Sequence, residues 1–166
     1  MTGGQTGVDS LAAAAAMRAG LAVDLVFPRG LLQEDGPVSG ERLATLAGSA
    51  VHELCSPEFA YRTWTVVYLA DAVLLVDPAG GDGCRETARA ARSLGRPLLE
   101  VPSGRVLTAG EITRWLERTG ARVLTVAGCR ASLLAAAGAE RSVADQVEAI
   151  AAGARLARDR VLGQQA

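Results

Sequence analysis

Two apolar rhythms alternate along this 166-residue chain. Stretches whose apolar positions recur at helical spacing are followed by short continuous apolar runs, the pattern of strands buried on both faces. Val8 to Ala19 reads as an alanine-rich helix closed by Gly20, and Leu21 to Phe27 as a strand ended by Pro28 and Gly30. From Pro28 to about Pro57 the rhythm lapses into glycine, proline and charge, which predicts a long functional loop. The alternation then resumes. Glu58 to Leu69 is a predicted helix and Ala72 to Val76 a central strand. Cys84 to Leu94 is a helix, Pro97 to Val101 a strand, Glu111 to Thr119 a helix after Thr108, and Arg122 to Val126 the fourth strand. A last helix, with Ser142 as its N-cap and Asp145 three residues on, carries the stripe Val143, Val147, Ile150, Ala154 and Val161.

Alternating helices and strands predict a layered α/β fold. No repeat, low-complexity linker or break in composition divides the chain, so residues 1–166 are expected to form one domain, a length that suits a single core. The start is awkward. A glycine-rich turn in a βαβ unit follows a strand, yet Thr2-Gly3-Gly4-Gln5-Thr6-Gly7 begins at residue 2, so the first strand is expected to be missing or truncated. The edge this leaves would need covering by upstream sequence, a second chain or the C-terminal region, and a homo-oligomer is the expectation.

Composition narrows the partners. Apolar residues make up 49% of the chain but aromatics only 4%, so the core is expected to be built of Ala, Val and Leu. A formal charge of −1 without a basic block gives no footprint for nucleic acid or an anionic membrane. No charged n-region with an apolar run after it, and no apolar stretch of about 18 residues, is present, which places the chain in the cytoplasm by expectation. Cys55, Cys84 and Cys129 are odd in number and lack C-x-x-C spacing, and His52 is the only histidine; neither a disulfide framework nor a zinc site is indicated. Their ordinary reading is small buried residues. Cys84 and Cys129 both fall at predicted strand-to-helix turns, where a soft-ligand role stays open.

Three such turns carry candidate chemistry. Gly3-Gly4-Gln5-Thr6-Gly7-Val8-Asp9 runs into the first helix, where glycines let the backbone approach an anion and the first free N–H groups supply positive potential. The plain alternative is a helix cap in which Asp9 complements the dipole. Asp77-Pro78-Ala79-Gly80-Gly81-Asp82-Gly83-Cys84 follows the most apolar strand and is the stronger signal, since three glycines in four residues are more than a connector requires. In Val126-Ala127-Gly128-Cys129-Arg130-Ala131-Ser132, Arg130 could fork onto a phosphate and Ser132 donate a hydroxyl. On successive βα units the three would converge on one edge of a parallel sheet. Glu34 and Asp35 could bind hydroxyls, a ring N–H or Mg²⁺, and Arg62, among Phe59, Tyr61 and Trp64, is a candidate anion partner; solvated surface charge is the alternative for all three.

The blocks TGGQTGVD, FPRG with EDGPV, AYRT, LADAVLLV, LGRPLLEV and LTVAGCRAS, in that order from Thr2 to Ser132, resemble the molybdenum-cofactor carrier family. The resemblance implies a Rossmann-like fold, a parallel sheet with helices on both faces, related to lonely-guy-type phosphoribohydrolases and DNA-processing-protein-A-like domains and usually homo-oligomeric. It implies a ligand of molybdopterin or nucleotide type. Phosphate contacts would fall on Gly3, Gly4, Gln5, Thr6, Gly7 and the loop Gly80, Gly81, Asp82, Gly83, with Arg62 and Arg130 as anion partners and Asp9, Glu34 and Asp35 nearby. The phosphoribohydrolase motif G-G-x-G-T-x-x-E is matched at Gly80, Gly81 and Gly83, but Cys84 stands for Thr and Thr87 for Glu, with Glu86 one place off. One helical residue turns a side chain by about 100°, so hydrolysis is the second reading and binding the first.

Overall fold

The computed structural model describes residues 1–77, 79–102 and 104–163. Pro78, quoted above in the second glycine loop, lies outside them. Helix α1 (Val8–Arg18) follows the first turn, and strand β1 is Asp24–Phe27. Gly20, at φ 71°, ends α1: its N–H reaches the Met17 carbonyl and the Leu21 N–H the Ala16 carbonyl, the paired bonds of a Schellman stop. The strand therefore begins three residues later than its apolar pattern suggests.

The segment 28–57 is more structured than expected. It holds a hairpin of β2 (Leu32–Gln33) and β3 (Gly36–Pro37), a short helix α2 (Gly40–Thr45) capped by Ser39, and strand β4 (Ala50–Glu53), which pairs parallel to β1. All four residues of β4 are exposed, so no apolar run marks it as a strand. Then come α3 (Phe59–Leu69), β5 (Ala72–Asp77), α4 (Asp82–Ser93), β6 (Leu98–Pro102), α5 (Ala109–Thr119) and β7 (Leu124–Gly128). Thr108 and Glu111 form a reciprocal capping box on α5. A short helix α6 (Ala131–Ala137) precedes α7 (Glu140–Gly163), so Ser142 does not cap the last helix but lies within it, its hydroxyl on the Ala139 carbonyl.

Strand β5 runs parallel between β6 and β7, and its first five residues are buried. Met1 and Thr2 join this half of the sheet to the other. The Met1 nitrogen donates to the Leu124 carbonyl and the Val126 N–H to the Met1 carbonyl, while Thr2 bridges Leu25. The strand order is thus β6-β5-β7, the Met1–Thr2 stub, β1, β4. Only this short stub stands where a first strand was expected, and it lies between β7 and β1 rather than at an edge, so no open edge follows from it. Val8, Ala12, Leu74, Ile112, Leu116, Val143, Val147 and Ile150 pack one face under α1, α5 and α7; Val26, Val66, Val67, Val73 and Ala90 pack the other under α3 and α4. The α7 stripe is buried inside the chain at Val143, Val147 and Ile150, half-buried at Ala154 and exposed at Val161. Helices on both faces of parallel strands make this a Rossmann-like fold.

Candidate functional site

Parallel strands bring every strand-to-helix turn to one edge, and there a cavity of about 510 Å³ opens. Gly3, Gln5 and Asp9 contribute from the first turn, Gly81, Asp82 and Gly83 from the second, and Arg130 from the third; Glu34 and Arg62 complete the expected set. Gly4, Thr6, Gly7, Asp35 and Gly80 do not line it. Asp35 is exposed at the hairpin tip. Phe59, Thr63, Cys84, Glu86, Thr87, Cys129 and Leu133 also face it.

The first turn is closed upon itself. Arg62 and Asp9 form a buried pair, Nη1 to Oδ2 at 3.1 Å, with the guanidinium lying over Gly3 so closely that any Cβ there would overlap it. Arg62 is therefore ordered by a carboxylate 53 positions away rather than by its aromatic neighbours. Its Nε is buried without a partner. Burial pushes the Asp9 carboxyl above its ordinary value, against the opposing pull of Arg62 and the Gln5 N–H. The Gln5 N–H donates to Asp9, the Thr6 N–H to the Gln5 side chain at 3.0 Å, and the Val8 N–H to the Cys129 carbonyl at 3.0 Å. Several donors expected to cradle an anion are already satisfied internally.

Glu34 is delivered by the β2–β3 hairpin, whose entry holds Leu31 in the left-handed region at φ 51°. For a branched side chain that conformation costs about 1–3 kcal/mol. The Glu34 carboxylate accepts from the Thr6 hydroxyl, from the Ser132 hydroxyl at 2.5 Å and its N–H at 3.3 Å, and lies 3.5 Å from Arg130 Nε. Burial pushes this carboxyl up, but the Ser132 and Thr6 bonds and the Arg130 charge outweigh it and hold it below the ordinary range. Glu34 thus takes up the donors expected to meet a phosphate in the third turn. Neither periodicity nor motif spacing could show this, because the hairpin comes from a region without apolar rhythm.

The second turn differs. Helix α4 starts at the cavity with Gly81 as N-cap and no side chain capping it; Asp82 points to solvent, paired with Arg85. Helix α3 also starts at the cavity without a side-chain cap. Two N-termini with their positive dipole ends converge there. Glu86 faces the cavity but accepts from Trp64 Nε1 at 2.6 Å and neighbours Arg89, and Thr87 bonds the Gly83 carbonyl. At the floor, Cys84 and Cys129 share a sulfur contact. Hydrogen bonding from Cys84 holds the Cys129 thiol below its ordinary value and the same bond, with burial, pushes Cys84 up.

No helix among the described residues is long and apolar enough to cross a membrane. No curated protein matches the chain. A solved structure from Syntrophus aciditrophicus, named "Putative molybdenum carrier protein", superposes with a TM-score of 0.73 at 22% identity over 90% of both chains, a likeness of fold. The model of the circularly permutated YpsA SLOG family matches residues 1–151, most of this sequence, and the chain belongs to that family.

Proposed function

We propose that this protein binds a phosphorylated small molecule of pterin or nucleotide type, the molybdenum cofactor among them, in the cavity at the carboxyl edge of its sheet. The observation that carries this is the uncapped N-terminus of α4 opening on the cavity opposite Arg62, a buried cation with an unpartnered Nε. The cavity volume suits a ligand of that size. The phosphate would meet the N–H groups of Gly81 to Gly83 and the Arg62 guanidinium, and Phe59 offers an apolar wall for a ring. Arg130 would join only if Glu34 releases it. The superposed carrier-named structure from Syntrophus supports a carried ligand rather than a transformed one.

The reading is one of binding in the cytoplasm, without nucleic acid or membrane, by a homo-oligomer. Support for self-association is the outer face of α3, where Tyr61, Tyr68 and Leu69 are about half exposed. Light scattering after size exclusion would show a dimer or larger; a monodisperse 17.1 kDa particle would end that part of the proposal. Thermal shift against nucleotides, inorganic phosphate and molybdopterin tests the ligand. A ligand at 100 times its Kd adds about 2.7 kcal/mol, and silence across the panel rejects the reading. Nucleoside monophosphates are expected to release no free base at enzymatic rates. Release that disappears in Glu86→Gln would instead establish the phosphoribohydrolase reading.

A further inference from the structure

Beneath the cavity, three metal-ligating side chains meet from separate segments. Cys84 Sγ and Cys129 Sγ lie 3.7 Å apart, Cys129 Sγ is 3.2 Å from Asp77 Oδ1, and all three ligand atoms fall within 4.8 Å of one another. Asp77 closes β5, Cys84 sits in the first turn of α4 and Cys129 follows β7. Packing accounts for two buried cysteines. It does not account for a carboxylate turned onto sulfur, because a thiol is a weak donor. The Gly80 N–H holds Asp77 Oδ1 in place at 2.7 Å, the kind of supporting bond that orients a ligand.

Distances select the ion. Zinc–sulfur bonds of about 2.3 Å at tetrahedral angles place two sulfurs about 3.8 Å apart, and a sulfur and a carboxylate oxygen about 3.5 Å apart. A disulfide would need the sulfurs to close to about 2.05 Å and would make no use of Asp77. Both cysteines line the cavity, which supplies an entry path and room for a fourth ligand. The absence of C-x-x-C spacing is no obstacle, since the fold assembles the donors from turns far apart in sequence.

We propose that Asp77, Cys84 and Cys129 bind one thiophilic divalent cation of the zinc class, with its fourth coordination position open to the cavity. Binding replaces the thiol protons, two at most, and moves no electrons. It makes no use of Arg62 or α4's anion-facing N–H groups and so stands apart from the proposed ligand.

The full chain, kept reduced with a phosphine and freed of metal, is titrated with Co²⁺ as a spectroscopic stand-in. One equivalent should bind with thiolate-to-cobalt charge transfer and the intense visible bands of tetrahedral cobalt. Cys84→Ala and Cys129→Ala should each cut that charge transfer, Asp77→Ala should weaken affinity at least about tenfold, and the exposed Cys55 should be replaceable by alanine without effect. On the unaltered protein, Zn²⁺ should slow alkylation of Cys84 and Cys129 but not Cys55, read by mass spectrometry. Missing charge transfer, charge transfer that survives in the double cysteine variant, or equal alkylation with and without zinc would overturn the proposal.

Discussion

The two glycine-rich turns look alike in sequence and are built for different ends. In the first, the protein approaches itself: Gly3 lies under the Arg62 guanidinium, a Cβ on Gly4 would meet the Phe27 ring at 2.6 Å, and Gly7 sits against the backbone of Cys129 to Ala131. In the second, a Cβ on Gly80 or Gly83 would meet nothing within 4 Å. Gly80 has φ 69°, which explains its lack of a side chain. Gly83 has neither a positive φ nor a crowding neighbour, and it lines the cavity. A run of glycines therefore reports either a left-handed turn or close approach, and only the fold tells which, and whether the approaching group is the protein or a ligand.

The largest effect should come from the first turn. Asp9→Ala strands a buried guanidinium and should lower the unfolding free energy by about 3–5 kcal/mol in urea titrations. A loss under 1 kcal/mol would mean this turn is not the rigid partner in the comparison. Arg62→Ala should cost less, because the Asp9 carboxyl it leaves can keep its proton. The folded state holds that proton above the unfolded pKa of about 3.9, so the variant's stability should fall as pH climbs through the raised folded value. A flat profile from pH 4 upward, on a ~3 unit span, would contradict it.

Smaller effects separate the turns further. Gly83→Ala should leave the fold intact or add about 0.5–1 kcal/mol, since alanine suits a helix better, while reducing ligand-induced thermal stabilisation. Unchanged binding would make the second turn a connector and dissolve the contrast. The mildest change is Glu34→Gln. Glu34 titrates below its unfolded value, so it stabilises above about pH 4.3, and that contribution fades as pH falls through the lowered folded value. The glutamine variant should lose this acid-side dependence and bind anions more tightly as Arg130 is released; weaker binding would make Glu34 a ligand contact.

Much of this was legible in the sequence. Continuous apolar runs marked β5 and its neighbours, the Gly20 stop marked the end of α1, and Thr108 marked the start of α5. The exposed β4 was invisible because an edge strand paired on one side carries no apolar signature. Ser142 misled because a serine in the first turns of a helix looks the same in sequence whether it caps or bonds back to a carbonyl. In the site, residue types were readable but partnerships were not. Arg62 with Asp9, Glu34 with Ser132 and Asp77 with Cys129 span 53, 98 and 52 positions, and no local pattern encodes such a distance.

The overlap of Gly3 with Arg62 also constrains the order in which this site could change through descent. While Arg62 is present, a side chain at position 3 has nowhere to go; once Arg62 has shortened, the space opens and Asp9 can go neutral. Positions 3, 9 and 62 should thus vary together among relatives, with residue 62 changing before residue 3. The cost of Gly3→Ala should shrink when Arg62→Ala is already present, by an interaction energy of about 0.5–3 kcal/mol. A lineage that abandoned the arginine would afterwards find the glycine free to drift, and the way back closed.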